Sequence, residues 1–456
     1  MFLKHVEISQ IRAIDHVFLD FAGAGTALRQ RTVLLGDTAS GKSTALRAIA
    51  LALAGSDALG GVMGDPASWV RIGQKEGRIS ASVETEKGGG AEFALVLKPG
   101  WSLRQTLANN AKGLRALDAA LAQPAGRYLT LGYGVSRRPN LAGQGVSARG
   151  LSMPASAPLG SPRSQAVATL FSSEAALVPF GPWANGDVGV AGAAGTGSGL
   201  AASRQAALRA LIKAVLPGVS LGTVDARARQ VHFKTADGTV QFGQLSEASQ
   251  TLVNCCADVL YRISQCVGNS KTPLKTPGLL LLDELALHLH PQHQRTVLDA
   301  LARALPNLQI IATTQAPLVA QQMREAELVV LERAAANRGA TARKAQGDPS
   351  QLTLGQLLAP LFGIDTVDSA RVAALRSRAR TSPGLLAARD HIELASLAPV
   401  HELPVAMQAQ LQATTELTEA IARSAGQRAP KLDPAKLRQK LGERIHSAAL
   451  RAGGAS

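Results

Sequence analysis

Gly36-Asp37-Thr38-Ala39-Ser40-Gly41-Lys42-Ser43 satisfies the spacing G-x-x-x-x-G-K-[ST] in full. That spacing suits phosphate chemistry. Its glycines let the backbone curl so that N–H groups face a phosphate at the positive end of a following helix. Lys42 then reaches the β- and γ-phosphates of ATP, and Ser43, with Thr44 next to it, brings a hydroxyl to Mg²⁺. A second motif closes the apolar run Leu279-Leu280-Leu281-Leu282 with Asp283-Glu284. Asp283 suits the coordination shell of Mg²⁺, and Glu284 is the natural group to polarise an attacking water. Either motif alone has a bland reading, a chance match or an ordinary strand end. Together they point to Mg-ATP. His288 and His290 follow closely, but residues two apart do not share a helix face and no third ligand is near, so a structural role is expected for them.

These residues need particular elements to hold them. Arg31–Leu35 is a short apolar run ending at Gly36, and residues 43–54 form an uninterrupted apolar helix, which gives strand, loop, helix. Gly278–Leu282 and residues 309–312 are continuous apolar runs of the kind buried in parallel sheets. Residues 2–8 alternate in strand fashion with 17–21 as a partner, and 78–84 with 91–97 reads as a hairpin turning at 87–90. Further strands are expected at 128–133 and 328–331, and helices at 201–215, 248–266 and 291–305. The fold class is therefore α/β. Residues 139–162 and 185–199, rich in Gly, Ser and Ala, read as flexible loops around a structured island at 166–183. Beyond residue 370 the pattern is helical, with segments at 385–396 and 405–424 and breaks at Pro383, Pro399, Pro404, Pro430 and Pro434.

The chain has 456 residues, enough for two or three domains or one large domain with an insertion. A hydrophobic share of 46% with 18% charged residues excludes wholesale disorder. Aromatic residues make up only 3%, so the core rests on Ala, Leu, Val and Ile. No run approaches the ~20 apolar residues of a membrane span, and the N-terminus lacks a signal-peptide pattern. A cytoplasmic, membrane-free protein is expected. Cys255, Cys256 and Cys266 make neither a disulfide framework nor a zinc site, and read as small apolar side chains on a helix. Forty-eight Lys and Arg against 33 Asp and Glu leave a net charge of +15. That surplus suits a polyanion such as DNA or RNA, and equally a solvated surface in an Arg-favouring composition. It is spread along the chain, without the interleaved aromatics that stack bases.

With both motifs in view, the chain resembles the ABC-type ATPase heads of the RecF, SMC and OLD-like group, over roughly residues 1–365. The opening Phe2-Leu3-Lys4-His5-Val6-Glu7-Ile8 with Ile11-Arg12 is similar to that group's first strand, and the resemblance places Arg12 near the nucleotide. Asp283-Glu284 through His288-Leu289-His290-Pro291 and Thr313-Thr314-Gln315-Ala316-Pro317 are similar to its acidic box and its switch strand. Leu245-Ser246-Glu247-Ala248-Ser249-Gln250 stands where its signature motif would be, which implies that Ser246 and Gln250 meet a nucleotide held by a partner subunit. Gly132-Tyr133-Gly134-Val135-Ser136-Arg137 also resembles a recurring segment of the group, one without an assigned chemistry. The resemblance implies an ATPase head split into residues 1–59 and 231–365, a compact inserted lobe at 60–230 in place of a long coiled coil, and a helical region at 366–456.

Several positions depart from the group's pattern: Thr38 and Ala39 replace Asn and Gly, Ala248 a Gly, Ala286 an Asp, and Gln315 a His. A glutamine still hydrogen-bonds a γ-phosphate but cannot become cationic. The changes fall on phosphate sensing and the subunit interface, so ATP is expected to bind well, to close a homodimer or larger homo-oligomer, and to be hydrolysed slowly. The resemblance implies a role in anti-phage defence or DNA repair. The alternative is a non-catalytic, ATP-gated scaffold holding a toxin or nuclease effector. The chain shows no nuclease signature of its own, so such chemistry would come from another protein. A transporter subunit fits the ATP motifs but not the altered signature or the Thr-Thr-x-x-Pro switch.

Overall fold

Apolar patterning decides which strands are enclosed and which face outward. The computed structural model describes residues 2–23, 28–84, 90–122, 128–137, 161–178, 198–225, 230–268, 272–333, 339–364 and 368–381. Most of both Gly/Ser-rich stretches, residues 179–183 of the expected island and the helices expected at 385–396 and 405–424 lie outside the described residues. The first strands are β1 (Phe2–Ile11), β2 (Ile14–Asp20), β3 (Arg31–Leu35), β4 (Gly77–Glu84), β5 (Gly90–Leu97) and β6 (Leu129–Tyr133). There follow β7 (Ser220–Asp225), β8 (Gln230–Thr235), β9 (Gly238–Gln241), β10 (Gly278–Leu282), β11 (Leu308–Thr314), β12 (Leu328–Arg333) and β13 (Ala340–Lys344).

Ten of these form one sheet in the order β5-β4-β1-β2-β13-β12-β3-β11-β10-β6, and β7-β8-β9 form a small antiparallel sheet. The stretch 60–230, expected as an inserted lobe, contributes β4, β5 and β6 to the same sheet as β3. One half is antiparallel: β1 pairs with both β2 and β4, and β4 with β5. In the other half β12, β3, β11, β10 and β6 run parallel, and the central β3, β10 and β11 are almost wholly buried. The continuous apolar runs follow from that double enclosure. β1 is longer than its alternation predicts, and a register shift between Leu3 and His5 puts Leu3 and Val6 on the same buried side.

The helix Lys42–Ala52 touches β1, β4 and β5 as well as β10 and β11, so both halves of the sheet pack against it. Its residues are accordingly buried on nearly every side, and four of the eight buried ones are alanines, small enough for close approach. Gln309, 1% exposed, joins the halves directly. Its Oε1 accepts the Leu3 N–H at 2.9 Å and its Nε2 donates to the Leu3 carbonyl at 3.0 Å, as a strand partner would. On the other side of the sheet, the helices Ser198–Val215, Glu247–Val267 and Val297–Ala304 share a second apolar core with Leu280, Leu282 and Ile310.

The helix expected over 291–305 is instead two, Pro291–Gln294 and Val297–Ala304, because Thr296 at φ −120° leaves the helical region between them. The helix expected from residue 201 begins at Ser198. The chain divides into a unit over Met1–Gly363 and another over Ile364–Ser456. In the second, the described residues form the helix Ala370–Thr381, whose Arg376 pairs with Asp368 at 2.9 Å. Among the described residues no helix is long and apolar enough to cross a membrane.

Candidate functional site

Parallel pairing brings three strand ends to one edge. Leu35 of β3 is registered with Thr314 of β11, Ala312 with Leu282 of β10, and Leu282 with Tyr133 of β6. Ligands bind outside such carboxyl ends. The loop after β3 is tight at its start, where a Cβ on Gly36 would fall 2.3 Å from the Leu331 carbonyl oxygen and 2.6 Å from Ser40 Oγ. Ala39 takes φ 65°, a left-handed conformation that strains an alanine by roughly 1–2 kcal/mol, which is the physical reason a glycine suits that position. Gly41 then caps the helix Lys42–Ala52 at φ 95°.

Lys42 is 5% exposed, and its ammonium lies inside the loop, donating to the carbonyls of Gly36 at 2.7 Å and Asp37 at 2.8 Å. Burial lowers its pKa below the ordinary 10.5, and the negative charges of Glu284, Asp283 and Asp37 work against that shift. Ser43 Oγ donates to Asp283 Oδ1 at 3.0 Å. Two oxygens at that separation match one edge of an octahedron with ligands at about 2.1 Å, the geometry Mg²⁺ requires. Ser40 Oγ, buried without a hydrogen-bond partner, is a further polar atom in the same loop. The residues present thus fit a phosphate with its cation. Among the described residues no group of three or more His, Cys, Asp or Glu side chains is arranged to hold a metal.

Glu284 sits where β10 has ended, at φ 48°. Its Oε1 accepts from Gln315 Nε2 at 2.7 Å and lies 3.9 Å from Lys42 Nζ. Gln315 Oε1 accepts in turn from Thr38 Oγ1 at 3.2 Å. One amide therefore links the switch strand to both the phosphate loop and the acidic pair. Sequence reasoning missed the group that organises this turn. Thr313, fully buried, donates its hydroxyl to Asp283 Oδ1 at 2.7 Å and accepts the Glu284 N–H at 2.7 Å. Its sequence signal is its place in the Thr313–Pro317 segment, where a hydroxyl follows a mostly apolar run. Thr313→Val removes both contacts at constant shape, so the Mg²⁺ concentration for half-maximal ATP turnover is expected to rise about 10-fold. A magnesium titration of the rate checks this, and an unchanged requirement would assign Thr313 to packing alone.

Of the remaining predicted residues, Thr44 follows Ser43 in the helix Lys42–Ala52. Arg12 stacks on the Trp69 ring at 3.7 Å and donates to the Ser68 carbonyl at 3.1 Å. Burial, then the like charge of Arg47, lowers its pKa. Ser246 caps the helix Glu247–Val267, accepting from the Ser249 N–H at 3.3 Å, while Gln250 Nε2 donates to the Leu245 carbonyl at 2.8 Å. Ser246 and Ala248 share a groove with His288, His290 and His293. His290 accepts from the Gln292 N–H at 3.3 Å, a structural cap. The cysteines are free, and burial pushes the Cys255 thiol up to about 12 and that of Cys266 to about 11, which disfavours the reactive thiolate.

A family described as "AAA domain, putative AbiEii toxin, Type IV TA system" matches residues 221–320, the stretch that carries Ser246, the acidic pair and Gln315. The chain is 38% identical to the retron Ec83 probable ATPase of Escherichia coli over 76 residues, 17% of this chain and 14% of that protein. It is 30% identical to the Septu protein PtuA of Bacillus thuringiensis over 117 residues, 25% of this chain and 29% of that protein. The aligned segments thus span less than a third of either relative. An SMC head domain from Thermotoga maritima aligns over 76% of this chain and all of that one, at 12% identity and a TM-score of 0.40. With a phosphate loop, an acidic strand end and a switch strand converging on one sheet edge, and the AAA-domain family matching residues 221–320 across the last two, the chain carries the parts of a P-loop ATPase site and is similar to the RecF/SMC/OLD-like group of ABC-type AAA ATPases.

Proposed function

We propose that this chain binds Mg-ATP at the Gly36–Ser43 loop, hydrolyses it slowly, and uses ATP-driven closure of two heads to control a separate effector in anti-phage defence. The observation that carries this reading is the continuous hydrogen-bonded path from Thr38 through Gln315 to Glu284, beside Lys42. In this arrangement Lys42 and the loop N–H groups hold the phosphates, and Ser43 and Asp283 hold Mg²⁺. The bound ion would neutralise charge on the phosphate oxygens. Glu284 orients the water and accepts its proton. Gln315 senses the γ-phosphate, and Ser246 of a second copy completes the site.

Slow turnover follows from the same contacts. Glu284 is already occupied by the Gln315 amide, and a neutral amide stabilises developing negative charge less than an imidazolium does. Losing one such transition-state contact lowers a rate by about 10²–10³-fold. The defence role and the partner effector rest on the likeness to the retron and Septu proteins. A nucleic acid as trigger is consistent with the charge of +15. Light scattering with and without Mg-ATP, together with single-turnover hydrolysis, tests the reading. A rise in mass with turnover well below one per second is expected. Many turnovers per second would overturn the slow switch, and an unchanged mass would overturn closure. A rise in mass without any hydrolysis would make the chain an ATP-gated scaffold.

A further inference from the structure

We infer that Arg137 is the positioning residue for Glu284, an inference that rests on the hydrolytic reading above. β6 ends beside the acidic turn, where the Asp283 N–H donates to the Tyr133 carbonyl at 2.8 Å. The chain is fixed at this point on three sides. Tyr133 Oη donates to buried Asp258 Oδ2 at 2.9 Å, and Asp258 Oδ1 accepts the Val178 N–H at 2.9 Å. Gly134 has no room for a side chain, since its Cβ would fall 2.0 Å from the Thr169 carbonyl oxygen.

From this anchored base Arg137 reaches back. Its Nε donates to the Gly134 carbonyl at 3.1 Å, which sets the plane of the guanidinium. The same group's terminal nitrogen donates to the carbonyls of both Asp283 and Glu284, the latter at 3.0 Å. Those two carbonyls flank the residue held at φ 48°, so Arg137 fixes the peptide planes that aim the Glu284 carboxylate. The guanidinium borders an apolar cavity walled by Leu252, Cys255, Leu282 and Leu285, where little water competes for its hydrogen bonds. A guanidinium stays charged at any working pH and presents its donors in a rigid fork, which an ammonium does not. Arg137 touches neither the phosphate loop nor the Ser43–Asp283 side chains through any of these bonds, so its effect is on the chemical step through Glu284.

The test compares wild type, R137A, R137K and E284Q, alone and with R137A added to E284Q, using single-turnover Mg-ATP hydrolysis and binding of a non-hydrolysable ATP analogue. R137A is expected to lower the hydrolysis rate by about 10–100-fold, the effect of displacing a reacting group by about an ångström, with analogue affinity unchanged within about twofold. R137K should recover part of the rate. Added to E284Q, R137A should lower the residual rate no further, because its effect runs through that carboxylate. A wild-type rate in R137A, an equal loss in both backgrounds, or affinity falling in step with rate would each overturn the inference. A wild type that does not hydrolyse ATP would overturn the hydrolytic reading itself, and the role of Arg137 with it.

Discussion

Glu284→Gln is expected to lower single-turnover hydrolysis of Mg-ATP by about 10²–10⁴-fold, the range for loss of a general base, while the protein still binds ATP. The amide is nearly isosteric, so the left-handed turn at Glu284 and its N–H bond to Thr313 at 2.7 Å remain. Its oxygen can still accept from Gln315, as the carboxylate does at 2.7 Å. What disappears is the negative charge 3.9 Å from Lys42 and the capacity to take a proton from water. Binding therefore survives while chemistry stops, and the ATP-closed assembly should outlive that of wild type in light scattering. A variant rate within about threefold of wild type would remove Glu284 from the chemical step.

The parts of this site that sequence reveals are those with local spacing. The loop from Gly36 to Ser43 is legible because glycine, lysine and hydroxyl must occur at fixed offsets between a strand and a helix. β10 and β11 are legible because burial on both faces demands unbroken apolar runs. β13 is not: Ala340–Lys344 has one fully buried residue and its only pairing with β2 is Ala340 with Ile14, so tertiary pairing decides it without any apolar pattern. Thr313 and Arg137 fall in segments the sequence singles out, but their roles were hidden for a related reason. Their partners are a carboxylate and backbone groups 29 to 147 residues away, and no spacing rule connects such positions. The left-handed Glu284 was equally hidden, since a glutamate at positive φ is held there by its surroundings and not by its own preference.

Lys42→Met is expected to weaken ATP binding by about 10–100-fold, the range for losing a hydrogen-bonded charge, because methionine keeps the buried stem and removes only the cation. Its pH dependence gives a sharper signature. In the folded protein burial lowers the Lys42 pKa below 10.5, with Glu284, Asp283 and Asp37 only partly offsetting that. Between the lowered value and 10.5 the unfolded chain binds more protons than the folded one, so this group makes stability rise with pH across that window. ATP affinity must move the opposite way. Phosphate favours the ammonium, so the free protein has to recapture a proton to bind, and affinity is lost as pH rises through the lowered value. Titrating analogue affinity and melting temperature in parallel, as wild type minus Lys42→Met, should show opposite slopes in one pH window. Parallel slopes, or none, would place the phosphate charge on another group of the loop.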